Sequence, residues 1–96
     1  MITHVVFFKL SNRDEAVLAE ALNKLVSMKG KIPQIRHLEA GVDIARSERS
    51  HDLALLIRFD NIEDLKAYQD HPYHAGEVVP FLKNVTSSIV TVDYES

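Results

Sequence analysis

The chain predicts an α+β fold in the order β-α-β-β-α-β, the ferredoxin-like arrangement, with both helices on one face of a four-stranded antiparallel sheet. Three observations carry that reading. Four segments rich in β-branched and aromatic residues are separated by two segments whose apolar residues recur at helical spacing. The polar stretch "RSERS", residues 46–50, makes a hairpin connection between two of the strand segments. At 96 residues, without repeats or linkers, the chain forms a single domain over 1–96.

"ITHVVFFKL", residues 2–10, is the first strand. Its alternation sets His4, Val6, Phe8 and Leu10 against Val5 and Phe7. A helix follows, with Asn12 as its cap and Glu15 three residues on in a capping box. Val17/Leu18, Ala21/Leu22, Leu25 and Met28 keep the helical period, and Gly30 closes the segment in a left-handed conformation. Lys29 and Lys31 suit the negative end of the helix dipole. Ile32-Pro33 leads into a second strand over about 35–45, and the third spans 51–59. There Leu53, Leu55, Ile57 and Phe59 point one way, and Asp52, Ala54, Leu56 and Arg58 the other. Asn61 caps a second helix over 62–70, whose Ile62, Leu65 and Tyr68 share a face. Pro72 fits the first position of a further helical turn, and Pro80 breaks or restarts that segment. "TSSIVTVDYE", residues 86–95, is the fourth strand.

Composition narrows the function. With 46% apolar and 26% charged residues the chain is an ordinary folded one, and a net charge of −3 supplies no basic stripe for nucleic acid. Zero cysteines exclude disulfides, thiolate metal sites and thiol nucleophiles. "MITHVVFFKL" lacks a basic leader, and no apolar run approaches the ~18 residues of a membrane span, so the expectation is a cytoplasmic protein without membrane contact. Gly30, Gly41 and Gly76 form no phosphate loop, Ser87 and Ser88 sit in no nucleophile elbow, and no cofactor is expected. Asp52 and Asp93 are too far apart in sequence to argue a carboxylate pair, and Asp93 is expected to meet a basic side chain at the rim of a dimer.

A dimer is expected because the helices cover only one face of the sheet, yet the strands are apolar on both. Val5 and Phe7, Ala54 and Leu56, and one set of the fourth strand all carry apolar residues away from the main core set. Two such faces packed together in a homodimer would bury a patch too apolar to leave in water.

The segments "HVVFFKL" at 4–10, "IPQIRHLEAGVDIA" at 32–45, "HDLALLIRFDNIEDLKAYQDHPYH" at 51–74 and "VDYE" at 92–95 together resemble the stress-responsive A/B barrel (Dabb) domain of the dimeric α+β barrel superfamily. The resemblance spans essentially the whole chain, and Tyr-x-x-His-Pro-x-His is its most specific part. One departure is Gln34, where the family usually has Gly after Ile-Pro; it touches a loop. The resemblance implies a homodimer whose two sheets form a shared barrel, with a small cavity in each protomer between sheet and helices. It further implies a likeness to plant polyketide cyclases at Tyr68 and His74, which would converge on that cavity.

"AYQDHPYHAG", residues 67–76, holds the candidate site: Tyr68, His71 and His74 at steps of three, with Pro72 between the histidines. A catalytic role requires a neutral His74 able to take a proton and a Tyr68 hydroxyl that holds a carbonyl oxygen. His4, Val6, Phe8 and Leu55 are the expected ligand-binding wall. His71 is expected to cap the turn begun at Pro72, and His37 and His51 to be solvated. Two histidines with Asp70 or Glu77 nearby and only His4 as a distant third make no native metal site. Three functions follow: a homodimeric binding protein for an apolar or aromatic small molecule; a cofactor-independent cyclase, lyase or isomerase acting on a carbonyl compound, with His74 as base and Tyr68 as donor; or a structural, stress-protective assembly.

Overall fold

The computed structural model describes all residues, 1–96. Strand β1 spans Ile2–Leu10, helix α1 Glu15–Val26, β2 His37–Val42, β3 Leu53–Phe59 and helix α2 Ile62–Asp70. A π-helical turn, His74–Val78, then runs into helix α3, Val79–Val85, and β4 spans Thr86–Glu95. The four strands form one antiparallel sheet in the order β2-β3-β1-β4, which is the ferredoxin-like fold with its last crossover divided into two helical pieces.

Pairing sets the two faces. Val6 lies opposite Leu55 and Thr91, and Phe8 opposite Leu53 and Ile89, so the helix-facing side is built from the odd residues of β3 and β4 and the even residues of β1. Seventeen buried apolar residues form the core there, with Ala21, Leu25 and Met28 from the α1 segment and Leu65 and Tyr68 from α2 closing over Ile57 and Phe59. On the other face Phe7 pairs with Ala54 and Val90, and Val5 with Leu56 and Val92. No element covers that face.

Four local details differ from the sequence reading. Asp14, not Asn12, caps α1: its Oδ1 accepts from the amides of Ala16 and Val17 at 2.7 and 3.3 Å, so the helix begins at Glu15 and the capping box does not form. The second strand is shorter than 35–45, because Asp43 leaves the ladder and its carboxylate accepts from the Arg46 amide, folding a turn with Arg46 at φ 55°. Ile62 turns outward and is 43% exposed, leaving Leu65 and Tyr68 as the buried residues of α2. Pro80 restarts the helix, one of the two outcomes expected of it, and stands in the first turn of α3. The amide of Val79 donates to the carbonyl of His74, a widened five-residue step just before Pro80, which makes room for a ring that would otherwise press on the preceding turn. Gly30 has the expected left-handed conformation, φ 88°, but does not close the helix, which ends at Val26 with Ser27 as its C-cap.

A buried clasp ties one end of the sheet to the segment just before α1. Asp52, only 8% exposed, takes the Leu10 amide on Oδ2 at 2.7 Å and the Arg13 guanidinium on Oδ1, while Arg13 also reaches the carbonyl of Asp43. Asp52 therefore points into the protein and not to the open side of the sheet.

Candidate functional site

Tyr68 is placed by helical spacing and fixed by aromatic packing. It lies one turn beyond Leu65 on α2, is 1% exposed, and its ring packs 5.0 Å from that of Phe59. His71 ends α2: its backbone amide donates to the Tyr68 carbonyl, and its Nδ1 accepts from the amide of Tyr73 at 3.1 Å. That side-chain cap lets the chain turn at Pro72 into a new helical segment, which carries His74 back over Tyr68. The rings of Tyr68 and His74 lie 4.3 Å apart, and on the other side of Tyr68 the ring of His4 stands edge-on at 5.6 Å.

These three side chains line a cavity of about 180 Å³ between the sheet and the helical layer. Val6, Phe8 and Leu55 from the sheet line it, so all six residues named from the sequence border the same space. Met28, Val78 and Leu82 add to the apolar wall, and half-exposed Ile89 and exposed Gln69 also line the space. His71 does not reach it. His37 is solvated beside Glu39, while His51 is half-buried at the opposite end of the sheet.

The only side-chain polar atoms sealed from solvent without a partner are Arg13 Nε and Gln34 Oε1. The Tyr68 hydroxyl, which also makes no hydrogen bond to the protein, is therefore reached from the open space. Burial, and secondarily the Asp93 carboxylate, push the Tyr68 pKa well above its usual range, so the hydroxyl stays protonated and donates. Burial lowers the His74 pKa, opposed by its hydrogen bond to the Gln69 carbonyl at 3.0 Å and reinforced by the neighbouring His4 and His71. A neutral His74 donating from Nδ1 to that carbonyl leaves its Nε2 lone pair as an acceptor.

Two groups escaped the sequence reading. Asp93, expected to meet a basic side chain at a dimer rim, has its partner within the protomer: it lies directly opposite His4 in the β1–β4 ladder, and its Oδ1 hydrogen-bonds to His4 Nδ1. Its two-residue step from Ile89 and Thr91 placed it on the helix-facing side, but the register against His4 needed the fold. Asp52, read as an isolated carboxylate, is the centre of the Arg13 clasp. No group of three His, Asp or Glu side chains is arranged to hold a metal ion, and no helix is long and apolar enough to cross a membrane.

Comparison with known proteins places the chain in a family. The model of the stress responsive A/B barrel domain, Dabb, matches residues 2–96. An uncharacterized protein of Streptomyces coelicolor is 31% identical over 98 residues, covering 99% of each chain. A dimeric protein of unknown function with a ferredoxin-like fold from Bacteroides fragilis superposes with a TM-score of 0.81 at 29% identity, covering 99% of this chain and 95% of that one. A hydroxynitrile lyase from Passiflora edulis superposes at 0.83 with 15% identity, over 97% and 90% of the two chains; at that identity the likeness is one of fold.

Proposed function

The chain belongs to the stress-responsive A/B barrel (Dabb) family, and from its cavity we propose that it is a homodimeric protein that binds one small, uncharged, apolar or aromatic molecule. The carrying observation is the cavity itself: about 180 Å³, ten of its fourteen lining residues hydrophobic, with Tyr68, His74 and His4 clustered in its wall. Most ligand pockets are roughly 300–1,000 Å³, whereas an apolar cavity of about 150 Å³ holds benzene. The size therefore favours a ligand close to a single ring. No lysine, arginine or carboxylate side chain lines the space, so nothing there offsets a full charge on the ligand. The phenol and imidazoles supply one donor and two acceptors for an oxygen-bearing end.

The dimer is part of the same reading. Phe7, Val90, Val92 and Tyr94 are 44%, 46%, 61% and 48% exposed on the open face, and a relative at 29% identity is dimeric. A concavity floored by Gly41 and Ala54 beside Phe7 gives a second copy something to fill. Calorimetric titration with a panel of benzaldehydes, phenols and phenyl ketones tests the ligand class. Saturable one-to-one binding, lost in His74→Ala, supports it; no heat from any member, with the protein folded and dimeric, refutes it.

A second reading, a cofactor-independent lyase, cyclase or isomerase of a carbonyl compound, is favoured by the unpartnered Tyr68 hydroxyl next to a neutral imidazole. Tyr68 would donate to the carbonyl oxygen, and His74 would take the proton. Turnover of a bound carbonyl compound that disappears in both Tyr68→Phe and His74→Gln supports this reading. Binding without turnover leaves the protein a carrier.

A further inference from the structure

We infer that the proton acceptor of this cavity is His4, with Asp93 as the positioning residue that sets its tautomer and offsets its charge, and that the ligand is an uncharged single-ring compound bearing an acidic proton, such as a phenol or an enolisable ketone. The inference rests on the cavity being a binding site and departs from it in choosing His4 over His74.

The two imidazoles differ in what stands behind them. His74 Nδ1 faces a backbone carbonyl, which fixes a tautomer but supplies no negative charge. His4 Nδ1 faces the Asp93 carboxylate. With Nδ1–H donated to Asp93, the lone pair is on Nε2, the one remaining ring nitrogen. That atom makes no hydrogen bond and is not sealed from solvent, and His4 is one of the residues that line the cavity. A carboxylate behind an imidazole does two things: it holds the ring in one tautomer, and it stabilises the imidazolium formed when the ring takes a proton. Asp93 can do both because it stays hydrated at one edge, its side chain 34% exposed, while His4 itself is 7% exposed. The groups facing His4 from the packed elements are Asp93 on β4, Tyr68 on α2 and, beyond Tyr68, His74; of these only Asp93 is a carboxylate. The chain's four ion pairs give none to His74. Burial also disfavours the charged form of His74.

The proton balance is complete without another reactant. The ligand's O–H, or the C–H beside its carbonyl, gives its proton to His4 Nε2. The electron pair remains on the ligand as an oxyanion, which accepts a hydrogen bond from the Tyr68 hydroxyl. Asp93 remains ionised against the imidazolium.

Two measurements on the full chain test this. Nitrogen NMR of the histidine rings in the free wild type should show His4 protonated at Nδ1 and bare at Nε2; the opposite tautomer overturns the inference without reference to any ligand. The second probe is 4-nitrophenol, whose absorbance reports whether its proton has moved. In the complex the imidazolium pattern should appear at His4 and not at His74. Asp93→Asn, which keeps the shape and removes the charge, should reduce the ionised fraction of bound nitrophenol at least tenfold. An imidazolium at His74, or an Asp93→Asn protein that ionises the probe as the wild type does, overturns the inference. If nitrophenol does not bind, it is the ligand class that fails, and the His4 tautomer still decides whether Asp93 positions the ring.

Discussion

The rings of Tyr68 and His74 stand 4.3 Å apart, centroid to centroid and tilted by 41°, although a helix end, a proline and a change of chain direction separate them in sequence. The two contribute differently. Tyr68 is a core residue with a polar tip: 1% exposed, packed on Phe59, its hydroxyl open to the cavity. His74 is half-buried, with one backbone hydrogen bond. Tyr68→Ala should therefore cost about 3–5 kcal/mol through the void it leaves, whereas Tyr68→Phe removes a hydroxyl with no protein partner and should cost less than about 1 kcal/mol. Both should lose ligand. Chemical denaturation separates the two effects, and a Tyr68→Phe protein that binds benzaldehydes like the wild type removes the hydroxyl from the site.

His74→Ala should leave stability within about 1 kcal/mol of wild type while abolishing ligand binding. Denaturant midpoints compared with calorimetric titration check both parts. A large loss of stability would make His74 a packing residue.

The pH dependence has a definite sign. Burial lowers the folded-state pKa of His74 below its ordinary 6.5, so between that value and the lower folded one the unfolded chain holds more protons. Stability then rises with pH across that window. The His74 contribution is fully present above about 6.5 and is lost as the pH falls toward the folded value. Denaturant midpoints measured from pH 7.5 down to 5 should decline more steeply for wild type than for His74→Gln. Equal slopes would mean that the ring is as free to protonate in the fold as outside it.

The N-terminus of α1 separates two residues that the sequence alone does not. Asp14→Ala removes an acceptor for two helix amides and should cost about 1 kcal/mol; Asn12→Ala should change stability by less than about 0.5 kcal/mol. The reverse order, measured by thermal unfolding, would restore Asn12 as the cap.

Periodicity is read locally, and so the strands, both main helices and the faces of β1 and β3 were legible in the sequence. His4, Val6, Phe8, Leu55 and Tyr68 followed from alternation and helical spacing; the convergence of His74 on Tyr68 came from family resemblance. What escaped depends on contacts between residues distant in sequence. Asp93 meets His4 across 89 positions, and Asp52 meets Arg13 across 39. Neither pairing leaves a mark in any short window. Pro80 marked the restart of the helix at α3, but the π-helical turn at His74–Val78 that precedes it carries no comparable local signal. That turn also sets the position of His74 and Val78 on the cavity wall.

The open sheet face yields the last prediction. Val5 and Leu56 are paired neighbours in β1 and β3, half-buried even without a partner, and Phe7, Val90 and Val92 surround them. An apolar patch in the middle of a sheet gains most from a second copy of itself, because a two-fold axis sets the same patch of both copies together. Leu56 sits inside that patch on a central strand, not on its rim. Leu56→Glu should therefore place a carboxylate where the sheets meet, a position in which it has neither water nor a cation. The single protomer should tolerate the change, since on this face the glutamate simply meets solvent and the core on the other side keeps all seventeen of its residues. The expected result is a dimeric wild type at micromolar concentration and a Leu56→Glu protein that sediments as a folded monomer. Arg58→Glu, one pair further along β3 on the same face but already exposed, should disturb the dimer less. A wild type that sediments as a monomer under those conditions, or a Leu56→Glu protein that remains fully dimeric, would mean that this face is not where the copies meet.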